Sequence, residues 1–346
     1  MLLALILLGG LCHAQTIGYI AGSKSLTSFN SSTGAIIESF TTGGSASQFS
    51  VASDDSTLYI PTATLAYSGT LNVVSGASGQ LLNSLAFSNA ATKAVLSSDG
   101  STVYVLTYAG LGFIYVVDVA TLSIKGTIAL PEGTYPFDIA LSPGNTTLYV
   151  SLGGSVNNAE GCHTQGICVF RAATLALTGD VERLFGYLGV SNDGKSLYVG
   201  NSIAGNATRI RVVNTATPAI SAIPVNNLIV NGLVIDPLGH YAVLVGQTRT
   251  PTAMAYMVNT STNAPVAEFI TTFPGNTSPL TVGSAAFAPD GNSVWMLLSC
   301  IGIVLVQNCT TVNNAAVELV GFSFPSGAVI GTTPVSSDAR TIAFPR

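Results

Sequence analysis

A segment of nine residues recurs seven times along this chain, at intervals of 44 to 53 residues, which is close to the repeat length of propeller blades. Its clearest copies are Ser97–Val105 and Ser191–Val199, which both place an Asp-Gly turn before a Tyr-Val pair. The weaker copies end at Tyr59, Tyr149, Ala242, Trp295 and Ala343. Short alternating strands joined by such turns indicate hairpins. The period and the turns together predict a ring of β-sheet blades.

A second motif, in which a polar turn separates two strands, alternates with the first. Its best copy is Val116–Ile124, and Asp118 at the turn can bond the backbone two residues on. The other six copies begin at Phe29, Val74, Phe170, Val213, Val258 and Phe322. Each repeat therefore supplies two hairpins, and we predict an all-β, seven-bladed propeller of four-stranded antiparallel blades, formed by residues 15–346 as one domain.

The two ends of the chain leave one strand in surplus. Thr16–Ala21 and Thr341–Phe344 both resemble the tyrosine-bearing strand of the repeat. We expect the two termini to meet in one blade and close the ring, since closure removes open sheet edges.

The composition excludes several classes of partner. Charged residues make up 8% of the chain and apolar residues 48%, with a net charge of −5. Such a sequence suits strands packed between sheets, where charge is costly to bury. The scattered Lys and Arg residues form no basic patch, so we predict no nucleic-acid partner and no polybasic membrane contact.

Residues 1–14 indicate a secretory signal peptide. The apolar run from Leu2 to Leu11 has the length of a signal core and is too short to span a bilayer. We place cleavage after Ala14 and predict a secreted, periplasmic or cell-surface protein with no transmembrane segment in the mature chain.

Two close cysteine pairs remain after cleavage, Cys162 with Cys168 and Cys300 with Cys309. An even cysteine count in an exported chain favours disulfides, and each bridge would clamp a local loop. The alternative is a metal site that includes His163. The spacing between Cys162 and Cys168 is longer than that of zinc-binding cysteine pairs, so we predict two disulfides and no metal.

The two motifs, Ser-x-Asp-Gly-x-x-x-Tyr-Val and Val-x-Asp-x-x-Thr, resemble those of the YVTN-type β-propeller family over essentially all of residues 17–346. That group is similar to bacterial surface-layer propellers and to lactonase-like propellers. The resemblance implies the propeller fold, and either a surface or binding role or hydrolysis of lactones. It implies no site residues, because the shared Asp, Gly, Tyr and Thr are turn and packing residues.

No catalytic residues emerge from the sequence. His240 follows Asp236 by four residues within one predicted turn, and no Gly-x-Ser-x-Gly elbow is present. Asp54, Asp55 and Asp99 fall in the repeated turn, where a structural role is expected. We therefore predict no catalytic set and no cofactor.

The best candidate for a binding site is the mouth of the central channel. Aligning the repeats on the tyrosine gives one equivalent column at the start of each inner strand: Gln48, Lys93, Asp138, Tyr187, Gly232, Ser284 and Thr332. Lys93, Asp138 and Tyr187 come from consecutive repeats, and Tyr135, Phe137, Arg183 and Phe185 lie in nearby loops. We predict that these repeats form a ligand-facing surface on which Lys93 or Arg183 holds an anion; a structural Lys-Asp pair is the alternative.

Two functions are compatible with these features. The first is a monomeric, non-enzymatic binding or surface scaffold whose ligand, an unknown protein, glycan or small molecule, contacts Gln48, Lys93, Asp138, Tyr187, Arg183 and Ser284. The alternative is a lactonase-like hydrolase acting at the channel mouth.

Overall fold

A computed structural model describes residues 16–41, 44–64, 68–108, 112–154, 165–200, 209–225, 228–248, 253–270, 280–300 and 317–345. These residues form β-strands joined by turns, and no helix occurs among them. No candidate membrane-spanning helix is therefore found in the parts of the chain that the structure describes. Residues 1–14, which carry the predicted signal peptide, lie outside them.

The described segments contain twenty-nine strands, most of them five to eight residues long. The first fourteen are β1 (Ile17–Gly22), β2 (Ser25–Asn30), β3 (Ile36–Thr41), β4 (Ser45–Ala46), β5 (Ser50–Val51), β6 (Thr57–Ala63), β7 (Gly69–Ser75), β8 (Leu81–Phe87), β9 (Ala90–Leu96), β10 (Thr102–Tyr108), β11 (Phe113–Asp118), β12 (Ser123–Ala129), β13 (Thr134–Leu141) and β14 (Thr147–Gly154). The others are β15 (Gly166–Arg171), β16 (Leu177–Glu182), β17 (Tyr187–Val190), β18 (Ser196–Gly200), β19 (Arg209–Asn214), β20 (Ile220–Pro224), β21 (Leu228–Ile235), β22 (Tyr241–Thr248), β23 (Ala253–Asn259), β24 (Pro265–Ile270), β25 (Leu280–Phe287), β26 (Ser293–Cys300), β27 (Val317–Ser323), β28 (Val329–Val335) and β29 (Ala339–Ala343).

The strands form seven antiparallel blades, as the repeats predict. Blade 1 has the order β29-β1-β2-β3, and blades 3 to 7 each take four consecutive strands, starting with β9, β13, β17, β21 and β25. In blade 2 the innermost strand is divided into β4 and β5, both paired with β6. The prediction of a seven-bladed, four-stranded propeller is confirmed.

Both termini meet in blade 1, which confirms the predicted ring closure and corrects the alignment of the last repeat. Tyr19 pairs with Ala343, so β1 is the tyrosine-bearing strand and β29 is innermost. Ala343 is therefore not the seventh tyrosine equivalent. Thr332, placed by the same alignment in the channel column, lies instead on the outer strand β28. The equivalent column position of blade 1 is Thr341, which pairs with Ala21.

In blades 5 and 7 the repeated aromatic residue forms a hydrogen bond to the next blade. The Tyr198 hydroxyl of blade 5 donates to Asn263 Oδ1 of blade 6 at 2.7 Å, and the Trp295 indole of blade 7 donates to the Ser31 carbonyl of blade 1 at 3.0 Å. Apolar side chains fill the space between blades, for example Leu106 and Ile114 against Ile139. The core is thus divided among the interfaces between blades, which makes the ring stiff.

The Asp-Gly turns are stabilised by their own side chains. Asp99 Oδ1 accepts hydrogen bonds from the Ser97 hydroxyl at 2.6 Å and from the Ser101 backbone amide at 3.0 Å. These bonds, that of Ser97 first, lower the pKa of Asp99 to about 2. Gly100 follows with φ +70°, a conformation that strains most other residues. The predicted structural role of Asp99 is confirmed.

Blade 2 departs from this pattern at Asp55, which occupies the glycine position of the turn with φ +61°. It lies near Tyr19 of blade 1, whose hydroxyl donates to the Gly76 carbonyl at 3.3 Å, and burial is the largest of the effects that raise the pKa of Asp55. Its Oδ1 atom is buried and has no hydrogen-bond partner among the described residues. The Asp55 carboxylate is therefore partly desolvated without full hydrogen bonding, which disfavours its charged form.

Replacing Asp55 by asparagine should stabilise the protein modestly at neutral pH, since the charge of a half-buried carboxylate is removed and asparagine tolerates positive φ. A carboxyl whose pKa is raised by folding favours the fold while it is protonated. Its contribution is lost as pH rises through the folded pKa, so the advantage of the variant should grow from about pH 4 upward. Urea unfolding at acidic and neutral pH measures this difference.

Asp54 supplies a matched control of opposite sign. Its Oδ1 accepts the Ser56 hydroxyl at 2.6 Å and the Ser56 amide at 3.0 Å, and these bonds lower its pKa. Asp54→Asn should therefore destabilise the fold at neutral pH and lose this effect in acid. An Asp55→Asn protein that is less stable than the wild type at neutral pH would contradict the prediction.

Candidate functional site at the central channel

The inner strands surround a cavity of about 480 Å³ on the propeller axis. The sequence column reaches it in all seven blades: Gln48, Lys93, Asp138, Tyr187, Gly232 and Ser284 line it as the alignment predicts, and Thr341 takes the position that was assigned to Thr332. The repeat alignment therefore locates six of the seven residues at this level of the channel.

A β-bulge precedes the column position in five blades. In blade 4 the register passes from Pro136 to Asp138, which leaves Phe137 as the extra residue. The same irregularity leaves Thr92, Asn231, Gly283 and Arg340 as the extra residues of blades 3, 6, 7 and 1. Bulges bend a strand and redirect its side chains, and they are common next to functional sites. Here they occur together at one end of the channel.

Lys93 and Asp138 form an ion pair between blades 3 and 4. The Asp138 side chain is 3% exposed and that of Lys93 20%. Asp138 also accepts the backbone amide of Ile139 at 2.9 Å and, through its other oxygen, that of Leu188 in blade 5 at 2.8 Å. One carboxylate therefore connects three consecutive blades at the channel, which satisfies buried amides that would otherwise lack partners.

Tyr187 lies beside this pair, with Phe137 against its ring. The two ring centroids are 4.9 Å apart in an edge-to-face arrangement, and Phe185 packs on Phe137 at 6.2 Å. Burial, with a smaller contribution from the Asp138 charge, raises the pKa of Tyr187 to about 12. The phenol is therefore protonated at neutral pH and can donate a hydrogen bond into the cavity. The expected grouping of Lys93, Asp138 and Tyr187 is present.

Arg183 occupies a different place. It is exposed in the turn between β16 and β17, with φ +58°, and it is not among the residues that line the cavity. Tyr135 is also exposed, and its ring covers Gly153, where a Cβ atom would lie 2.1 Å from the ring. Neither Arg183 nor Tyr135 is therefore among the residues that line the cavity.

Asn231 and Gly283 are channel residues that the alignment misses, because they are the bulged residues. The Asn231 amide nitrogen donates to the Thr281 hydroxyl at 2.7 Å and to the Val282 carbonyl at 3.2 Å. A Cβ atom added to Gly283 would have the Leu297 carbonyl as its nearest neighbour, at 4.0 Å. The wall opposite Lys93 is therefore built of small and neutral residues.

The channel changes character along its axis. Each inner strand runs from the polar column toward apolar positions such as Leu141, Val190, Ile235 and Phe287. Proline residues line the far end: Pro143, Pro237, Pro289 and Pro345. One end of the cavity is rich in hydrogen-bonding groups, and we call it the polar mouth, defined by Gln48, Lys93, Asp138, Tyr187, Gly232, Ser284 and Thr341. The remainder is mostly apolar, with Ser50 and Asn192 among its polar side chains.

The other candidate groups lie outside the channel or outside the described residues. Asp236 accepts the backbone amides of Leu238 and His240, both at 3.0 Å, and His240 Nδ1 lies 3.8 Å from its carboxylate. This pair therefore belongs to a turn, as expected. No group of three potential metal ligands occurs in the segments that the structure describes. Cys162, His163 and Cys309 are outside those segments, so both disulfides stay predictions.

Comparison with known proteins supports the fold alone. No family model and no curated protein matches the sequence. A functionally unknown protein from Desulfotomaculum acetoxidans DSM 771 has a similar crystal structure, with a TM-score of 0.69 and 16% identity over 96% of this chain and 99% of that one. Hydrazine synthase from Kuenenia stuttgartiensis matches with a TM-score of 0.61 and 16% identity, over 82% of this chain and 90% of that one. The chain is a seven-bladed β-propeller, and at such low identity these similarities show its fold and not its function.

Proposed function

We propose that this protein is a non-enzymatic, extracytoplasmic binding propeller that takes a small molecule at the polar mouth of its channel. The observation that carries the proposal is the gathering of polar side chains at one end of a cavity of about 480 Å³. Binding pockets for small molecules typically have this size and combine apolar walls with a few convergent polar groups. The placement outside the cytoplasm rests on the apolar leader of residues 1–14 and the four remaining cysteines.

The contacts of the charged pair favour binding over the lactonase-like alternative. A general base needs a free lone pair directed at the substrate. Asp138 is the carboxylate among the described lining residues, and its two oxygens accept three hydrogen bonds, one from Ile139 of its own blade and two from Lys93 and Leu188 of the neighbouring blades. These bonds suit Asp138 to link the inner strands of blades 3, 4 and 5 rather than to act as a general base.

We expect ligand-observed NMR with a library of small polar fragments to find binders that Lys93→Met weakens, since the Lys93 ammonium is the most accessible charge at the polar mouth. Lys195→Met is the matched control: Lys195 pairs with Asp193 at 3.7 Å, but its side chain is 81% exposed in a turn. Fragment binding that is equal in wild type and Lys93→Met would place the ligand elsewhere.

Hydrolysis is assayed in the same preparation with a panel of small lactones and esters, with and without chelator. We expect the wild-type protein to hydrolyse these compounds no faster than the Lys93→Met variant does. Turnover that the chelator abolishes would favour the hydrolase and direct the search to ligands outside the described residues.

A further inference from the structure

The charges at the polar mouth cancel. The Lys93 ammonium faces the Asp138 carboxylate, and the other column residues, Gln48, Tyr187, Ser284 and Thr341 among them, are uncharged at neutral pH. Desolvating a lone charge is costly unless an opposite charge compensates it. A charged ligand, whether anion or cation, would find no uncompensated partner among the lining residues.

The same groups suit hydroxyls. The Lys93 ammonium and the Tyr187 phenol are donors, whereas the amides of Gln48 and Asn231 and the hydroxyls of Ser284 and Thr341 include acceptors. The bonds that Asn231 makes to blade 7 use its nitrogen, so its side-chain oxygen is the atom left for a ligand. A hydroxyl both donates and accepts, and several hydroxyls on one molecule can match donors and acceptors placed around a ring.

The aromatic side and the apolar interior add a second requirement. Phe137 holds the Tyr187 ring edge-to-face at 4.9 Å, so the phenol is a fixed surface for the C–H groups of a ligand. Beyond the polar mouth the lining turns to Leu188, Leu233 and Ile235. A ligand made only of hydroxyls would leave this apolar part of the cavity unfilled.

From these three observations we infer that the ligand is an uncharged, hydroxyl-bearing molecule with an apolar substituent, such as a glycoside with an aryl group. Its hydroxyls bind at Lys93, Tyr187 and Asn231, and its apolar group extends along the axis. This inference rests on the proposed binding function and narrows it. It replaces the anion expected from the sequence, because Asp138 already neutralises Lys93.

The test uses probes that differ in one property. Phenyl glycosides of glucose, galactose and mannose are the neutral probes, phenyl glucuronide is the anionic match, and free glucose and phenol are the separate parts. We expect isothermal titration calorimetry to show at least one phenyl glycoside binding more tightly than phenyl glucuronide by about tenfold or more, because the charge must be desolvated. Both separate parts should bind more weakly still.

Two variants locate the bound probe. Gly283→Leu places a side chain in the open wall of the channel and should abolish binding, whereas Lys195→Met should leave it unchanged. Circular dichroism confirms that Gly283→Leu is folded, and Lys93→Met gives a second variant that does not depend on the bulge. Tighter binding of phenyl glucuronide would overturn the inference and leave the binding function standing. The inference on the ligand would also be overturned if polar fragments bind and none of these probes does. If no compound of either set binds, the proposed binding function itself is contradicted.

Discussion

Asp138→Ala should lower the free energy of unfolding by about 3 to 5 kcal/mol, the range for breaking a buried ion pair by removing one partner. The substitution leaves the Lys93 ammonium without its counter-ion and the amides of Ile139 and Leu188 without an acceptor. Because these three donors come from three blades, the loss should appear in the global transition. Urea unfolding, followed by circular dichroism, measures it.

The control for this prediction is the exposed ion pair of the same residue types. Exposed pairs contribute about 0 to 1 kcal/mol, so Lys195→Met should change stability within that range. Hydrogen exchange adds a local readout, since the amides of Ile139 and Leu188 should lose protection in Asp138→Ala more than amides of blade 1. An Asp138→Ala protein as stable as Lys195→Met would mean that the carboxylate does not hold the blades together.

The sequence could locate most of the channel because the number of residues between the column position and the aromatic position is the same in most repeats. From each column residue to the aromatic position the chain passes through one inner strand, one tight turn and half of the next strand. Counting back from Tyr104 or Tyr149 therefore reaches Lys93 or Asp138 without knowledge of the structure. The same regularity made the fold predictable, since both hairpins of a blade are local in sequence.

The alignment failed where a blade is not local. Blade 1 takes its inner strand from the C-terminus, so the repeat ending at Ala343 has the right spacing but belongs to a different strand of the blade. A smaller error occurs in blade 6. There Val243 pairs with Val234 as Tyr149 pairs with Ala140 in blade 4, so the tyrosine equivalent is Val243 and not Ala242. Because blade 6 has no tyrosine at this position, its run of apolar residues could be aligned with the other repeats in more than one register.

The bulged residues could not be predicted for a different reason. A bulge is a property of pairing between two strands, and Asn231 or Gly283 can occupy either a regular or a bulged position without a change in local sequence. Similarly, only the structure shows that Leu188 donates to Asp138, since a backbone amide carries no signal in the sequence. Both features add hydrogen-bonding groups and contacts at the channel that the repeat alignment does not contain.

Trp295→Ala should also lower stability by about 3 to 5 kcal/mol, as for large aromatic residues removed from a packed core. The indole is fully buried between blades 7 and 1, donates to the Ser31 carbonyl at 3.0 Å and packs edge-to-face on Phe29 at 5.3 Å. Trp295→Tyr restores the residue of the repeat and should cost less. Thermal unfolding followed by circular dichroism compares the two.

The glycines around the indole give the sharper test. A Cβ atom at Gly321 would lie 2.5 Å from the Trp295 ring, and one at Gly34 would lie 2.7 Å from it, so both positions leave room for tryptophan in place of tyrosine. Gly321→Ala should therefore destabilise the wild type but do little harm in Trp295→Ala, where the ring is gone. This non-additivity is expected of side chains in contact. Equal effects of Gly321→Ala in the two backgrounds would show that these glycines serve the strand backbone and not the indole.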